Sequence, residues 1–389
     1  MKTYDWIVVG AGITGAALAY ELVKKGYAVL LLEQNTTPQN ATRYSYGGLA
    51  FWAGTTPLTS QLCHEGITRH RLLSAELDFD TEFRELDLLL TIPADVNPEG
   101  VAASYTRFAI PPSLLSVKEA CELEPLLNPE AIAGALTVKH GHINPEKTAL
   151  AYITAFLRAG GEMKITLVKD FSLSEKKERI QEVRTTTETY YSANTVVCAG
   201  GFSRQLLQSS NIPIKLYFTH AETIETPPVN HIRLRTLVMP ANLKRFVLEA
   251  ESSKNDEVWQ QPGLEPAPPI LDPGGIQFQD GSFRFGQISR VLTDPYAYID
   301  TAQSEASLRA EIERVLPTLG SLPGTLHRCL VSFSRDALPL IGSIPGHENI
   351  HVFSGFSNPL AIVPPLAQRF ARWVSGEKDE IIPKLYPAR

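Results

Sequence analysis

A cluster of glycines near the N-terminus has the spacing of a nucleotide-binding turn. Gly10, Gly12 and Gly15 follow an apolar segment at residues 6–9 and open a helical pattern that stops at Gly26. Glycines here let the backbone approach a pyrophosphate, whose charge meets the positive end of the helix dipole. Glu33 follows 18 residues after Gly15, at the end of a second apolar segment. A carboxylate there accepts hydrogen bonds from a ribose diol. The pattern predicts a βαβ unit that holds the ADP part of a dinucleotide.

The elements that must position this unit are spread along the chain. We expect helices at 65–90, 145–159, 304–315 and 359–375, and strands at 163–168, 195–199 and 350–353. The stretch 212–299 combines alternating strands with proline-rich turns, a pattern typical of an antiparallel sheet. The fold class is therefore α/β: a parallel-sheet lobe built from separated segments, with an antiparallel lobe inserted in two pieces.

Composition restricts the function. A chain of 389 residues is long enough for two lobes. The net charge of -6 and the absence of a basic run argue against nucleic acid as a partner. We see no apolar run of transmembrane length and no signal-peptide pattern, so we expect a cytoplasmic protein, although a peripheral membrane contact would leave no clear trace. The four cysteines are scattered, and the nine histidines show no metal-ligand spacing. His140 and His142 are predicted to lie in a loop.

Five further segments resemble the D-amino-acid oxidase family, which includes glycine oxidase and sarcosine oxidase. They are 41–49 (ATRYSYGGL), 142–145 (HINP), 196–201 (VVCAGG), 336–342 (DALPLIG) and 355–357 (GFS). With the N-terminal motif they run from end to end in the family's order. The glycine motif alone does not choose between FAD and NAD, whereas the resemblance implies FAD.

The resemblance also implies an architecture. It is a Rossmann-like FAD-binding domain of the glutathione-reductase type, discontinuous in sequence, with an inserted antiparallel-sheet substrate domain. The boundaries we predict are 1–90, 141–211 and 325–389 for the FAD-binding domain, and 91–140 and 212–324 for the substrate-binding domain.

Site residues follow from the same resemblance, position by position. Those implied to hold the ADP portion, the adenine, the pyrophosphate and the flavin are Gly10, Gly12, Ile13, Thr14, Gly15, Glu33, Gln34, Thr42, Arg43, Ser45, Gly47, Gly48, Val168, Ala199, Gly200, Gly201, Gly342, Gly355, Phe356, Ser357, Asn358, Pro359 and Leu360.

Two further residues have sharper implied roles. Cys329 stands seven residues before Asp336, the spacing at which sarcosine oxidases attach the flavin covalently; a buried structural thiol is the alternative. Arg284 matches the strand on which sarcosine oxidase carries a lysine over the flavin, where a cation would stabilise charge on dioxygen. A strand arginine in a salt bridge is the alternative. Arg43 and Arg284 are the candidate catalytic residues.

The substrate carboxylate clamp of the family is missing. Its usual positions are Val331, a few residues before the closing motif, and Ile362 on the last helix. Residues that could replace it are Arg43, Arg328, Arg335, Tyr217, His220 and Tyr298.

The reaction that the resemblance implies is oxidation of the C–N bond of a small amino acid or secondary amine. A hydride passes to flavin N5, the imine hydrolyses, and dioxygen or another acceptor takes the electrons. The loss of the clamp leaves two alternatives open: a flavin dehydrogenase of a hydroxy acid, and a non-catalytic flavoprotein. A nucleotide-sensing NAD protein, which would lack flavin colour, is a third.

Overall fold

The computed structural model describes residues 2–174, 179–242 and 244–389. Its strands are β1 (Thr3–Val9), β2 (Val29–Glu33), β3 (Gly48–Leu49), β4 (Arg84–Pro93), β5 (Ser113–Leu115), β6 (Ile132–His142), β7 (Glu162–Ile165), β8 (Val168–Leu173), β9 (Ile180–Thr185), β10 (Thr189–Val197), β11 (Leu216–Glu225), β12 (Leu237–Pro240), β13 (Ala267–Gln277), β14 (Phe283–Val291), β15 (Thr325–Ser334), β16 (Leu340–Ser343) and β17 (Ile350–Ser354). Its helices are α1 (Ile13–Lys24), α2 (Ala41–Tyr44), α3 (Pro57–Leu77), α4 (Pro98–Tyr105), α5 (Val117–Leu123), α6 (Pro145–Arg158), α7 (Ser203–Gln208), α8 (Lys244–Ser252), α9 (Thr301–Val315), α10 (Pro317–Gly320) and α11 (Pro359–Val374).

The first sheet has the strand order β16-β17-β10-β1-β2-β7, and β8 and β9 extend it from β10. Its central pairs are parallel, and β16 is an antiparallel edge. Trp6 and Val8 of β1 belong to one core, together with residues of α1, α3, α6 and α11, whereas Ile7 and Val9 belong to another. Strands covered on both faces are continuously apolar, which is why the N-terminal βαβ unit was visible in the sequence.

The second sheet has the order β15-β11-β14-β13-β12-β4-β6-β3, with β5 on β6. It is antiparallel apart from the β12–β4 pair. Leu308 and Ile312 of α9 pack in one core with Phe283 and Phe285 of β14. Because side chains alternate along a strand, Arg284 and the residues that share its face point the other way, toward the first sheet. The two sheets and their connections form the α/β fold that the sequence predicted.

The helix predicted at 65–90 is wrong in its second half. Helix α3 ends at Leu77, and Asp78 adopts a left-handed conformation with φ of 51°. The leucine-rich segment that follows is β4, which pairs with β6 along nearly its whole length. This pairing joins segments that are remote in sequence, so local periodicity could not report it.

Two smaller expectations also need correction. The strand predicted at 163–168 is two strands, β7 and β8, which pair with different partners. His140 and His142 lie within β6 rather than in a loop, and both are buried. Their hydrogen-bonded partners are β4 and β3, so long-range pairing again decides the local structure.

The predicted domain division stays a prediction, and the sheets differ from it near its boundaries. Strands β3, β4 and β15 belong to the second sheet, although residues 1–90 and 325–389 were assigned to the FAD-binding domain. Within the residues described, no helix is both long and apolar enough to cross a membrane.

Candidate functional site

The turn between β1 and α1 brings backbone to the cavity edge. Gly10 has φ of 101°, a conformation that favours glycine. A Cβ on Gly15 would lie 1.8 Å from the Gly10 carbonyl oxygen, so glycine is required for α1 to pack this closely. A Cβ on Gly12 would meet only Thr42 Oγ1, at 3.2 Å. Gly12 therefore borders open space, while Gly15 supports the turn from behind.

Two polar side chains hold this turn in place. The Glu33 carboxylate, at the end of β2, accepts hydrogen bonds from the backbone N–H groups of Ala11 at 2.8 Å and Asn35 at 3.2 Å. Thr42 Oγ1 accepts one from the Ile13 N–H at 3.0 Å. Both side chains also line the cavity, so each can support the turn and meet a ligand.

Two helices begin at the cavity without a side-chain cap. The residue before α1 is Gly12 and that before α11 is Asn358; neither side chain caps its helix, and neither first turn contains an acidic residue. Asn358 instead donates to the Ala50 carbonyl oxygen at 3.2 Å. Uncapped helix N-termini present N–H groups and a positive dipole end, an arrangement that suits phosphate and other electron-rich groups.

These features open into one cavity of about 620 Å³ between the two sheets. Most of the predicted cofactor residues line it: Gly10, Gly12, Ile13, Thr14, Glu33, Gln34, Thr42, Ser45, Gly48, Val168, Ala199, Gly200, Gly201, Cys329, Phe356, Ser357, Asn358, Pro359 and Leu360. The structure thus gathers residues from the two halves of the chain around one space.

Four predicted glycines lie outside the lining and allow close packing instead. They are Gly15, Gly47, Gly342 and Gly355, and an added Cβ at each would lie less than 3.0 Å from another atom. Gly47, for example, would place it 2.1 Å from the Ile143 carbonyl oxygen. Their contribution to the site is to let the backbone come together around it.

Arg43 and Arg284, the two predicted catalytic residues, do not line the cavity. Both pair with Glu225, at 3.0 Å for Arg43 and 3.5 Å for Arg284. Arg43 also pairs with Glu146 at 2.9 Å, and Arg284 donates to the Ser45 carbonyl oxygen. The expectation that Arg284 lies exposed over the ligand is therefore replaced by its alternative, a salt-bridged strand arginine, here a buried one.

Cys329 lies on the cavity wall with 8% of its surface exposed. Burial raises the pKa of its thiol to about 12, although the positive charges of Arg284 and Arg245 oppose this shift. Val331, two residues along β15, also lines the cavity, whereas Ile362 is buried outside the lining. At the first of the usual carboxylate positions the cavity wall is therefore apolar.

None of the proposed replacements for the carboxylate clamp reaches the cavity lining. His220 contacts the Asp294 carbonyl oxygen at 3.1 Å, and burial lowers its pKa to about 4. Tyr217 is buried against Trp259, and Tyr298 is 89% exposed. Arg328 and Arg335 are exposed on β15 and beyond it.

Sequence reasoning missed several groups at the second sheet's end of the cavity. Arg245 of α8, Gln287 of β14 and Met239 of β12 line it, as does His140. Trp52 Nε1 donates to His140 Nδ1 at 3.0 Å, and burial lowers the pKa of this histidine to about 3, so it is neutral. No motif marks these residues, because each reaches the cavity only through the fold of its own strand or helix.

Comparison with known proteins identifies the family. The model described as DAO, FAD dependent oxidoreductase, matches residues 5–373. The chain belongs to this family. The DAO-family chain is 25% identical over 371 residues to monomeric sarcosine oxidase of Streptomyces avermitilis, covering 91% of this chain and 89% of that protein. It is 23% identical to 4-methylaminobutanoate oxidase (formaldehyde-forming) of Paenarthrobacter nicotinovorans, covering 95% of this chain and 43% of that one.

The fold has solved counterparts. The structure of glycine oxidase from Geobacillus kaustophilus matches with a TM-score of 0.82 at 19% identity, covering 100% of this chain and 99% of that one. The DAO-family chain is thus an FAD-dependent oxidoreductase. Its cavity suits FAD, because the open N-terminus of α1 can receive a pyrophosphate and the adjacent Glu33 carboxylate can receive a ribose.

Proposed function

We propose that this enzyme oxidises the C–N bond of a small amino acid or secondary amine. The observation that carries the proposal is the continuous cavity. One end has the glycine turn and Glu33, and the other has a mixed polar and apolar pocket under the second sheet. The sarcosine, methylaminobutanoate and glycine oxidases among its relatives favour amine chemistry over other reactions.

We assign the cofactor-binding roles by position along the cavity. Gly10, Gly12 and the start of α1 receive the pyrophosphate, and Glu33 receives the adenosine ribose. Val168, buried at the start of β8, contacts the adenine. The turn before α11, from Phe356 to Leu360, borders the isoalloxazine. When bound, FAD supplies a two-electron acceptor in that ring system.

The chain's own residues position the substrate and limit water. Leu237, Met239 and Val331 provide apolar wall on the second sheet. A substrate amine in such surroundings loses its proton more readily, because desolvation disfavours the charged form. The neutral amine can then release a hydride from the adjacent carbon, and the imine that results hydrolyses in water. Neutral His140 contributes no charge to this wall.

The test is anaerobic titration of the flavin-loaded protein with separate substrates, followed by absorbance. We expect a small amino acid or N-methylated amino acid, drawn from a panel containing glycine, sarcosine and D-alanine, to bleach the flavin band near stoichiometry. Light-driven reduction serves as the control that the bound flavin can be reduced. Bleaching by a hydroxy acid such as lactate, with no response to any amine, would contradict the proposal.

A second candidate, a dehydrogenase of hydroxy acids, is favoured by one observation. The wall at Val331 lacks a group to bind an amino-acid carboxylate. The same titration separates the two, because a hydroxy acid carries no amine. If light reduces the flavin and neither class of compound does, the protein is a non-catalytic flavoprotein.

A further inference from the structure

Arg245 occupies an unusual place among the cations of the cavity. In the described part of the chain, the lysines and arginines that line the cavity are Lys169 and Arg245. Lys169 follows Val168 at the end we assign to the adenine. Arg245 lies at the opposite end, where its charge acts on Cys329 of β15 and Asp272 of β13. It is therefore the cation nearest the pocket that remains for a substrate.

A buried carboxylate positions Arg245. Its Nε lies 3.1 Å from Oε1 of Glu249, one turn later on α8. Glu249 is 5% exposed and accepts a hydrogen bond from Thr219 Oγ1 of β11 at 3.1 Å. This chain of contacts ties the start of α8 to the second sheet and leaves the terminal guanidinium nitrogens unbonded by other described side chains. Arg43 and Arg284, by contrast, use their terminal nitrogens on Glu225 and on other groups.

A second donor lines the same pocket. The Tyr46 hydroxyl is buried and has no hydrogen-bond partner among the described residues. Burial and the Asp272 carboxylate raise its pKa, so the hydroxyl keeps its proton and can donate. A buried donor without a partner costs free energy, and a ligand oxygen would recover that cost.

We propose that Arg245, positioned by Glu249, binds the carboxylate of an amino-acid substrate, with the Tyr46 hydroxyl as a second donor. The assignment rests on the proposed function and narrows it to amines that carry a carboxylate. It places the carboxylate-binding cation on α8 instead of at Val331 or Ile362. Guanidinium groups bind carboxylates through paired, charge-assisted hydrogen bonds, which suits this role.

The experiment measures binding without turnover. Acetate and benzoate are carboxylates with no amine, and acetamide and benzamide are their neutral counterparts. Each is titrated into the holoprotein, and binding is followed by the change in the flavin spectrum and by calorimetry. We expect wild type to bind the carboxylates in preference to the amides. Arg245→Met should weaken carboxylate binding by about 10- to 100-fold and leave amide binding unchanged.

Matched variants separate a local contact from general effects. Lys244→Met removes the same charge from the adjacent, exposed position on α8 and should leave carboxylate binding within about twofold of wild type. Arg245→Lys should restore part of the affinity. Tyr46→Phe should weaken carboxylate binding by about 2- to 10-fold. Glu249→Gln should weaken it as well, a change that a purely structural role would not produce once folding and flavin content match wild type.

The result that overturns the inference is equal binding of carboxylates by wild type and Arg245→Met, or no carboxylate binding by wild type at 100 mM. Equal losses with Lys244→Met would also overturn it, because they would point to general electrostatics. Binding that depends on Arg245 in a protein whose flavin no amine bleaches would retain the carboxylate site and reject the proposed amine oxidation.

Discussion

Cys329 is the residue at which cofactor attachment can be tested directly. It lines the cavity and is almost fully buried, so either a covalent link or a structural thiol is compatible with its location. We predict that the flavin precipitates with acid-denatured wild-type protein and is released from Cys329→Ser. Absorbance of pellet and supernatant is the measurement. Cys198→Ser, a change at another buried cavity thiol, is the control. Flavin released from wild type would exclude the covalent link and leave FAD as a non-covalent cofactor.

Asp272 is predicted to make stability depend on pH. Burial raises the pKa of its carboxyl to about 6, and one of its oxygens is buried without a partner. Because the folded state holds this proton more tightly than the unfolded chain, wild type should gain stability as the pH falls from above 6 toward 4. Asp272→Asn should therefore raise the free energy of unfolding at pH 8, by up to about 3 kcal/mol.

The measurement is urea unfolding at several pH values between 4 and 8. The advantage of Asp272→Asn should narrow as the pH falls, because the wild-type carboxyl becomes protonated. Asp95→Asn, in an exposed turn, is the control and should give a small difference that does not change with pH. An advantage of Asp272→Asn that stayed constant from pH 8 to pH 4 would contradict the assignment.

At the scale of elements, the contact between α3 and α11 sets where α11 begins at the cavity. A Cβ on Gly66 of α3 would lie 1.9 Å from the Ala361 carbonyl oxygen of α11. We predict that Gly66→Ala lowers the free energy of unfolding by about 1 to 3 kcal/mol, because backbone cannot move aside cheaply. Denaturant unfolding of the holoprotein measures this change.

The matched control is Gly100→Ala in α4. Its nearest listed neighbour beyond its own helix backbone would be Asn97 Cγ at 4.0 Å, so the added methyl group meets open space. Alanine is favoured over glycine in a helix, so this variant should be unchanged or up to about 1 kcal/mol more stable. Similar destabilisation in both variants would show that the α3–α11 contact is not the cause.

At the scale of the whole molecule, FAD joins residues that the chain supplies from both of its halves. A ligand that binds only the folded state stabilises it, by about 2.7 kcal/mol at 100 times its Kd. We therefore expect added FAD to raise the Tm of the apoprotein. Gly12→Val should lose this shift, because its side chain would extend into the cavity. Its Tm without FAD should stay near that of wild type, since a Cβ there contacts only Thr42 Oγ1. A full shift in this variant would refute the placement of the pyrophosphate.

The sequence by itself determined the features that depend on short spacing. The glycine turn, its flanking strand and helix, and Glu33 lie within 33 residues, and local backbone chemistry fixes their arrangement. The ordered motifs along the rest of the chain determined the family, and with it FAD. Most of the cavity lining could be named for that reason.

The tertiary structure decided what depends on contacts between remote segments. Hydrogen bonding to β6 makes residues 84–93 a strand, and Glu225 draws Arg43 and Arg284 into ion pairs away from the cavity lining. Arg245 reaches the cavity because α8 is tied through Glu249 to Thr219. No local pattern contains such information, because the free energy of a side chain depends on the charges and surfaces that folding brings to it.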